Sequence, residues 1–369
     1  MKIPYNCLHI QGGTLFAARG GKIHTFSLTD LSHRATWKHP DLDTFIAAGG
    51  LQINPSGDKD CDDPDDSIMV DKDDNSKPKK TRAKDQRKKP NPVPDRPVII
   101  QLATSPTGNY VVAVSGNDKA VWVFSHDGEG HLTELSKRIM PKRPSAIQVT
   151  HDLEIIVADK FGDVYCIPLL KSTAPYVPPV KPSVSKPFTK PAASVLTVHS
   201  KGNRAALAAQ QREMENPANA ASNSQRAEGP DFEHTLLLGH VSMLTSLLLG
   251  QDRQNRKYIL TSDRDEHIRV SRYMPQAHII HGYCLGHKEF VGDMAIDESR
   301  QEILVSGGGD EELFVWNWVT GELLSKTNIL KSVKEVVPEV TKVAVSKVFA
   351  RSFVSETDIE THVIITCEG

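Results

Sequence analysis

The sequence predicts an all-β protein built from repeated four-stranded units, and three observations carry this prediction. Five short segments of alternating polarity end at Phe26, Phe124, Ile167, Ser271 and Trp316, a pattern typical of strands with one buried face. Two of the steps between these ends, 43 and 45 residues, match the roughly 40 to 45 residue period of a β-propeller blade. The other two steps exceed that period by about 54 and 60 residues, and each contains a stretch of non-globular composition. The sequence therefore indicates a β-propeller that is interrupted twice.

Two Gly-His dipeptides, which end at His240 and His287, support this count of blades. Blades of the WD40 type open with Gly-His and close with Trp-Asp. We therefore expect His240 to pair with Asp265 and His287 with Asp310 in buried polar networks that set the geometry of their blades. Trp316 is expected to be the structural closing residue of its blade.

The segment at residues 260–273, Leu-Thr-Ser-Asp-Arg-Asp-Glu-His-Ile-Arg-Val-Ser-Arg-Tyr, keeps the blade frame but has Ser271 in place of the closing Trp. A repeat that loses a structural residue is a better candidate for function at that position. The basic side chains crowded into this segment are predicted to bind a partner; they are Arg264, His267, Arg269 and Arg272. The alternative for Arg269 is a solvated strand residue, whose ion pairs would contribute about 0 to 1 kcal/mol.

The two interruptions are expected to be disordered inserts in a single domain that spans residues 1–369. Residues 46–95 begin with nine Asp between positions 58 and 74, and such a segment buries too little apolar surface to fold alone. Its second half is basic and is either a nuclear localisation signal, an electrostatic arm for RNA, or a solvated linker. The basic residues are Lys77, Lys79, Lys80, Arg82, Lys84, Arg87, Lys88 and Lys89. Residues 171–231 are rich first in Pro and then in Ala, Gln and Asn, which predicts an extended chain followed by a disordered one, with a short frayed helix as the alternative.

A sixth unit begins near Val340, and residues 361–366 resemble its third strand. The expected architecture is therefore five full blades and a partial sixth. Because an unclosed sheet exposes strand edges, either the gene model is truncated or the ring is left open.

Composition and motifs argue against an enzyme. The 369 residues carry a formal net charge of -2, so any RNA contact must be local. No phosphate-binding loop, nucleophile elbow or metal-ligand spacing is present, and the glycine run 307–309 is interpreted as part of a blade turn. The five cysteines are widely spaced and are expected to be reduced thiols, mostly in the core. Without a signal peptide or a long apolar run, the protein is expected to be soluble and intracellular.

Three segments, residues 158–165, 260–273 and 284–291, closely resemble the non-catalytic WD-repeat subunit of the eukaryotic tRNA (guanine-N7-)-methyltransferase complex. The resemblance implies a seven-bladed propeller that binds side-on to a Rossmann-type catalytic subunit. That subunit would carry S-adenosylmethionine and methylate a guanosine in the variable loop of tRNA, while this chain needs no cofactor of its own. It also implies that the blade containing residues 260–273 meets the catalytic subunit, and that a basic group at Arg269 pairs with an acidic group there.

The resemblance thus implies a heterodimer that reaches tRNA through the complex, in the nucleus and away from membranes. The long inserts are not part of the common core of the family. The competing interpretation is a general WD-repeat scaffold or substrate-receptor adaptor that recognises a peptide motif through the narrow face of the propeller.

Overall fold

The computed structural model describes residues 4–47, 95–172, 176, 204, 208, 230–297, 299–354 and 359–368. Within these ranges the strands form five four-stranded antiparallel sheets and one two-stranded sheet. Each four-stranded sheet is a meander in which strands that follow one another in the chain pair in space. We number these sheets as blades 1 to 5 in chain order.

The strands of the first two blades are five to eight residues long. Blade 1 contains β1 (Cys7–Gln11), β2 (Thr14–Arg19), β3 (Lys22–Ser27) and β4 (His33–Lys38). Helix α1 (Asp41–Phe45) follows it. Blade 2 contains β5 (Ile99–Thr104), β6 (Tyr110–Ser115), β7 (Ala120–His126) and β8 (Leu132–Ile139).

The next two blades flank the second predicted insert. Blade 3 contains β9 (Pro144–Val149), β10 (Glu154–Asp159), β11 (Asp163–Pro168) and β12 (Thr235–Gly239). Blade 4 contains β13 (Leu244–Gln251), β14 (Lys257–Asp263), β15 (Ile268–Arg272) and β16 (Ile280–Cys284).

The last four-stranded blade is joined to a hairpin through a short helix. Blade 5 contains β17 (Val291–Asp297), β18 (Arg300–Gly308), β19 (Glu312–Asn317) and β20 (Glu322–Asn328). Helix α2 (Ile329–Val336) leads to the two-stranded sheet of β21 (Ala344–Val354) and β22 (Ile359–Glu368). Neither helix has the length and apolar character that a membrane crossing requires.

The predicted repeat is confirmed at the level of individual strands. All five segments that were expected to be third strands lie in the third strand of their blade, namely β3, β7, β11, β15 and β19. The prediction for residues 361–366 was wrong in position, because they lie in β22, the second strand of its sheet, which pairs directly with β21. The error arose because a single alternating strand carries no sign of its rank in a meander.

Buried apolar clusters lie between successive sheets and hold the blades together. Trp122 and Phe124 of blade 2 pack against Phe16 of blade 1, and Trp316 and Phe314 of blade 5 share a cluster with side chains of blade 4. A further cluster joins the hairpin to blade 5. Burying apolar side chains at each junction is the main favourable contribution to the free energy of folding.

The first strands of neighbouring sheets are also linked by polar side chains. Gln101 donates to the carbonyl of Ser145 at 3.0 Å, and Gln148 donates to the carbonyl of Leu247 at 3.1 Å. These first strands contact one another in order from β1 to β21. The described sheets thus follow each other around a common axis, as the blades of a propeller do.

The two predicted inserts leave the propeller at different kinds of connection. The first joins blade 1 to blade 2, and the second joins the third and fourth strands of blade 3. The basic residues Lys77 to Lys89 lie outside the described residues. The expectation of disorder also falls largely outside them, since only residues 46, 47, 95, 171, 172, 176, 204, 208, 230 and 231 of the two inserts are described. Among the described cysteines, Cys7, Cys166, Cys284 and Cys367 are free thiols, and burial raises the pKa of Cys284 to about 12.

Candidate partner-binding site

The loops of blade 4 lie at two opposite ends of its strands. The upper rim, as we define it, contains the connection to the preceding blade (240–243) and the loop between the second and third strands (264–267). A hydrogen bond from the Arg264 amide to the Met243 carbonyl joins them at 2.9 Å. The lower rim contains the loops 252–256 and 273–279, near which the Tyr273 amide bonds to the Lys257 carbonyl at 3.2 Å.

Blade 5 contains the complete polar network that the WD40 pattern predicts. His287 Nδ1 lies 2.8 Å from the Asp310 carboxylate, and His287 Nε2 lies 2.7 Å from the Ser306 hydroxyl. The Trp316 indole donates to the same hydroxyl at 2.8 Å. All four side chains are buried, which confirms the predicted pair of His287 with Asp310 and the structural role of Trp316. Burial lowers the pKa of His287 even though Asp310 opposes the shift.

In blade 4 the prediction that His240 pairs with Asp265 is wrong. His240 Nδ1 faces Asp263 at 3.4 Å, and its Nε2 lies 2.8 Å from the Thr261 hydroxyl. Strand β14 runs on to Asp263, so this carboxylate stays at the strand end, where it also accepts the amides of Asp265 and His267. Asp265 lies in the exposed turn beyond it. Burial opposes the ionisation of Asp263, but the hydrogen bonds from His240 and the His267 amide lower its pKa overall.

Two hydrogen bonds hold the Arg269 side chain of blade 4 in place. Its Nε donates to the Ser271 hydroxyl at 3.0 Å, and its Nη1 donates to the Gly239 carbonyl at 2.9 Å. The side chain is buried, with 8% of the residue exposed, and burial lowers its pKa. The interpretation of Arg269 as a solvated strand residue is therefore wrong. Its third nitrogen, Nη2, has no hydrogen bond to the described residues.

The other three basic side chains do not form one patch. Arg264 and His267 are exposed on the upper rim, where His267 Nδ1 lies 3.6 Å from Asp263. Arg272 lies at the far end of β15, on the lower rim, where it donates to Gln276 at 2.8 Å. A cluster of basic residues in the sequence does not reveal this separation. Arg264 precedes strand β15 and Arg272 is its last residue, so the length of the strand puts them on opposite rims.

The upper rim of blade 4 combines these basic groups with exposed apolar ones. Val241 is fully exposed and Leu285 is 60% exposed. The loop 264–267 also exposes Asp265 and Glu266, so the surface carries both signs of charge. A mixture of apolar side chains, an arginine and neighbouring charges is suited to a protein interface. We call Val241, Arg264, His267 and Leu285 the rim patch.

Blade 2 contains a group that sequence reasoning missed. His39, which follows blade 1, faces Asp118 of blade 2 at 3.5 Å and packs edge-on against Trp122 at 5.0 Å. His39, Asp41 and Asp118 lie close enough together to hold a cation. However, the Lys137 ammonium lies 2.7 Å from Asp118 and would repel a metal ion. The group is therefore best explained as the structural network of blade 2. The sequence does contain one sign of it, a histidine that directly follows the fourth strand of blade 1.

Blade 3 keeps only one member of this network. The amides of His39, Met140 and His240 make the same bond, to a carbonyl in the turn between the second and third strands of the blade that comes before, so Met140 occupies the position of the histidine. Asp159 caps the turn amides of Phe161 and Asp163. Its second oxygen, Oδ2, is buried without a hydrogen-bond partner among the described residues. Burial raises the pKa of Asp159.

The family of the chain follows from a comparison with family models. The model of the tRNA methyltransferase TRM82 WD40 domain matches residues 15–369. The chain belongs to this family. The WD40 β-propeller predicted from the sequence is thereby confirmed.

Two fungal relatives show how far the likeness to the TRM82 family extends. A tRNA (guanine-N(7)-)-methyltransferase non-catalytic subunit from Sclerotinia sclerotiorum is 40% identical over 407 aligned residues, which cover 100% of this chain and 76% of the relative. A protein of the same description from Aspergillus clavatus is 46% identical over 255 residues, which cover 67% of this chain and 51% of the relative. The chain thus spans about half to three quarters of the length of these relatives.

One solved structure supports the fold alone. A chain from the crystal structure of a mitotic checkpoint complex aligns with a TM-score of 0.50 and 9% identity. The alignment covers 97% of this chain and 76% of that chain. At this identity the likeness concerns the architecture and not the function.

Proposed function

We propose that this chain is the non-catalytic subunit of a tRNA guanine-N7 methyltransferase and that it binds and stabilises the catalytic subunit. The match to the TRM82 family over residues 15–369 is the observation that carries this proposal. The catalytic subunit would hold S-adenosylmethionine, and tRNA would reach this chain through the complex. A selective binder of this kind raises activity by stabilising the competent state of its partner.

We place the docking surface on blade 4, with the rim patch as its exposed part. Arg264 and His267 are free to approach an acidic surface, because both side chains are exposed. Arg269 would contribute through Nη2, while Nε and Nη1 keep it in the blade. An arginine held in this way loses little further side-chain entropy when it binds a carboxylate. Arg272 lies on the other rim and is not part of this surface.

The test is co-expression with the methyltransferase subunit from the same organism, followed by purification and an assay for 7-methylguanosine in tRNA. Wild type is expected to co-purify with the methyltransferase in an active complex. The double variant Arg264→Glu/His267→Glu should weaken the complex by at least tenfold, since charge reversal opposes an acidic partner. Lys38→Glu, on the exposed outer strand of blade 1, is the matched control and should change nothing.

Arg269→Glu needs a second readout, because this side chain is also part of the blade. Loss of the complex with an unchanged thermal midpoint of the isolated chain would assign Arg269 to the interface. Loss of the complex with a lowered midpoint would assign it to the fold. If folded wild type captures no methyltransferase, the proposed function fails and the adaptor interpretation replaces it.

We further propose that the complex acts in the nucleus and that the basic residues from Lys77 to Lys89 direct it there or contact RNA. Deleting residues 77–89 separates these roles. A loss of nuclear fluorescence from a tagged chain would support the signal, and a smaller salt dependence of tRNA affinity would support the RNA arm. If neither changes, this segment is a linker.

A further inference from the structure

A groove on the lower rim of blade 4 is lined mainly by basic, aromatic and amide side chains, and none of them belongs to the rim patch. Its volume is about 570 Å³, which is within the range of small-ligand sites. The loops 252–256 and 273–279 form its walls. Strand pairing sets Tyr258 opposite Arg272 at its floor.

The groove is lined by basic side chains, and none of the described residues that line it is acidic. Nine residues line it, and four of them are basic: Arg256, Lys257, Arg272 and His281. Among all nine the remaining polar groups are two amides and two phenols. Such a surface favours an anion over a neutral or cationic ligand.

Two of these basic side chains form ion pairs with carboxylates that are not among the residues lining the groove. Asp252 accepts from Arg256 at 2.6 Å, and its side chain is 1% exposed. Asp152 faces Lys257 at 3.4 Å in an exposed ion pair, which is worth little in water. Arg272 differs, because its one side-chain bond is to the neutral amide of Gln276. Among the described residues no carboxylate pairs with Arg272, so its charge is available to a ligand.

Aromatic rings lie beside these basic side chains. The Lys257 ammonium lies 5.4 Å from the centre of the Tyr273 ring, and the exposed ring of His281 lies 4.9 Å from the buried ring of Tyr258. The rings that a ligand can reach are therefore those of Tyr273 and His281. A groove that pairs cations with aromatic rings suits a nucleotide, since the cations attract the phosphate and the rings stack on the base. A phosphopeptide would use the cations but would gain nothing from the rings.

We propose that this groove binds a phosphate of an RNA backbone, with Arg272 as its principal ligand and an unpaired nucleobase against the rings. The identification of that RNA as the tRNA substrate rests on the proposed function. The lower rim would then hold tRNA while the upper rim holds the catalytic subunit. Arg272 thus belongs to the RNA site and not to the protein interface.

The test uses the purified heterodimer and measures tRNA affinity across a range of salt concentrations. Arg272→Gln is expected to weaken binding about threefold to tenfold and to reduce the salt slope by about 0.7 to 0.9, the loss of one phosphate contact. Arg253→Gln is the matched control, because Arg253 lies in the same loop, is held by Glu302 and does not line the groove. Equal effects of both variants would overturn the proposal in favour of diffuse attraction.

A second set of titrations separates failure of the groove from failure of the proposed function. A single-stranded RNA oligomer, inorganic phosphate and a phosphoserine peptide are titrated into the isolated full chain and its Arg272→Gln variant. Binding of RNA that depends on Arg272 supports the groove even if no methyltransferase co-purifies. Binding of phosphate or phosphopeptide equal to that of RNA would overturn the RNA assignment, as would RNA binding that Arg272→Gln leaves unchanged.

Discussion

At the scale of single residues, the blades differ in which side chain faces the aspartate at or just after the end of the second strand. Asp118, Asp263 and Asp310 each face a histidine. Asp159 has Met140 near the equivalent position and a buried oxygen without a partner. A buried acceptor that lacks a donor costs about 1 to 3 kcal/mol. The same residue type therefore stabilises three blades and opposes the folding of a fourth.

Asp159→Asn is expected to stabilise the chain at neutral pH by about 1 kcal/mol, because the amide keeps the turn hydrogen bonds without the buried charge. The raised pKa of Asp159 gives the sign of the pH dependence. Its contribution to stability is present below the unfolded pKa and is lost as pH rises through the folded value, so the gain from Asn should vanish in acid. Urea unfolding of wild type and Asp159→Asn at several pH values measures this difference in stability.

The neighbouring substitution Asp263→Asn is the control, because it should have the opposite sign. The pKa of Asp263 is lowered, so its charge stabilises the fold above the unfolded pKa and that contribution is lost as pH falls through the folded value. If both substitutions changed the stability in the same direction, the conclusion that Met140 occupies the position of the histidine would be contradicted.

His287 should make stability fall in mild acid. Burial lowers its pKa, so its contribution is present above the unfolded value near 6.5 and is lost as pH falls through the folded value. In thermal unfolding between pH 8 and 5, His287→Gln should reduce this loss while lowering stability at pH 8. His278→Gln, at an exposed position, should leave the profile unchanged, and a flat wild-type profile would contradict the prediction.

At the scale of elements, the glycine run 307–309 shows how packing between strands changes an interpretation made from sequence. It is not confined to a turn, because Gly307 and Gly308 belong to β18. A Cβ on Gly308 would lie 1.9 Å from the Phe290 carbonyl oxygen and 2.6 Å from the Gly292 nitrogen. The strand needs glycine there so that β17 can approach.

Gly308→Ala is therefore expected to destabilise blade 5 by about 3 kcal/mol, since the backbone of residues 290–292 must move. The measurement is the urea midpoint, or the soluble yield if the variant does not fold. Gly282→Ala is the control, because no atom lies within 4 Å of the added carbon. Equal effects of the two substitutions would show that this close approach does not limit the fold.

At the scale of the whole molecule, the hairpin of β21 and β22 is held to blade 5 by two aspartates. Asp293 accepts the Val348 amide at 3.2 Å. Asp297, which is fully buried, accepts the hydroxyls of Ser352 and Thr361. The burial of Asp297 opposes its ionisation, but these bonds lower its pKa overall. Polar bonds thus reinforce the apolar packing at this junction.

Asp297→Ala should loosen the hairpin without unfolding the other blades. Amide exchange in β21 and β22 is expected to speed up by about tenfold, the equivalent of 1.4 kcal/mol, while exchange in blades 1 to 4 stays as in wild type. Glu312→Ala removes an exposed ion pair with Lys326 in the same blade and should have little effect. Uniform acceleration in all blades would show that the junction is not local.

The sequence by itself determined the repeat, the third strand of each blade, the His287 network and the family. These follow from periodicity and from motifs with a characteristic spacing within one repeat, and a sequence shows such spacings directly. The tertiary structure alone decided that His240 meets Asp263, that Arg269 is buried, and that Arg264 and Arg272 lie on opposite rims. The position of a strand end decides the first and the third of these, and the packing of side chains within the blade decides the second.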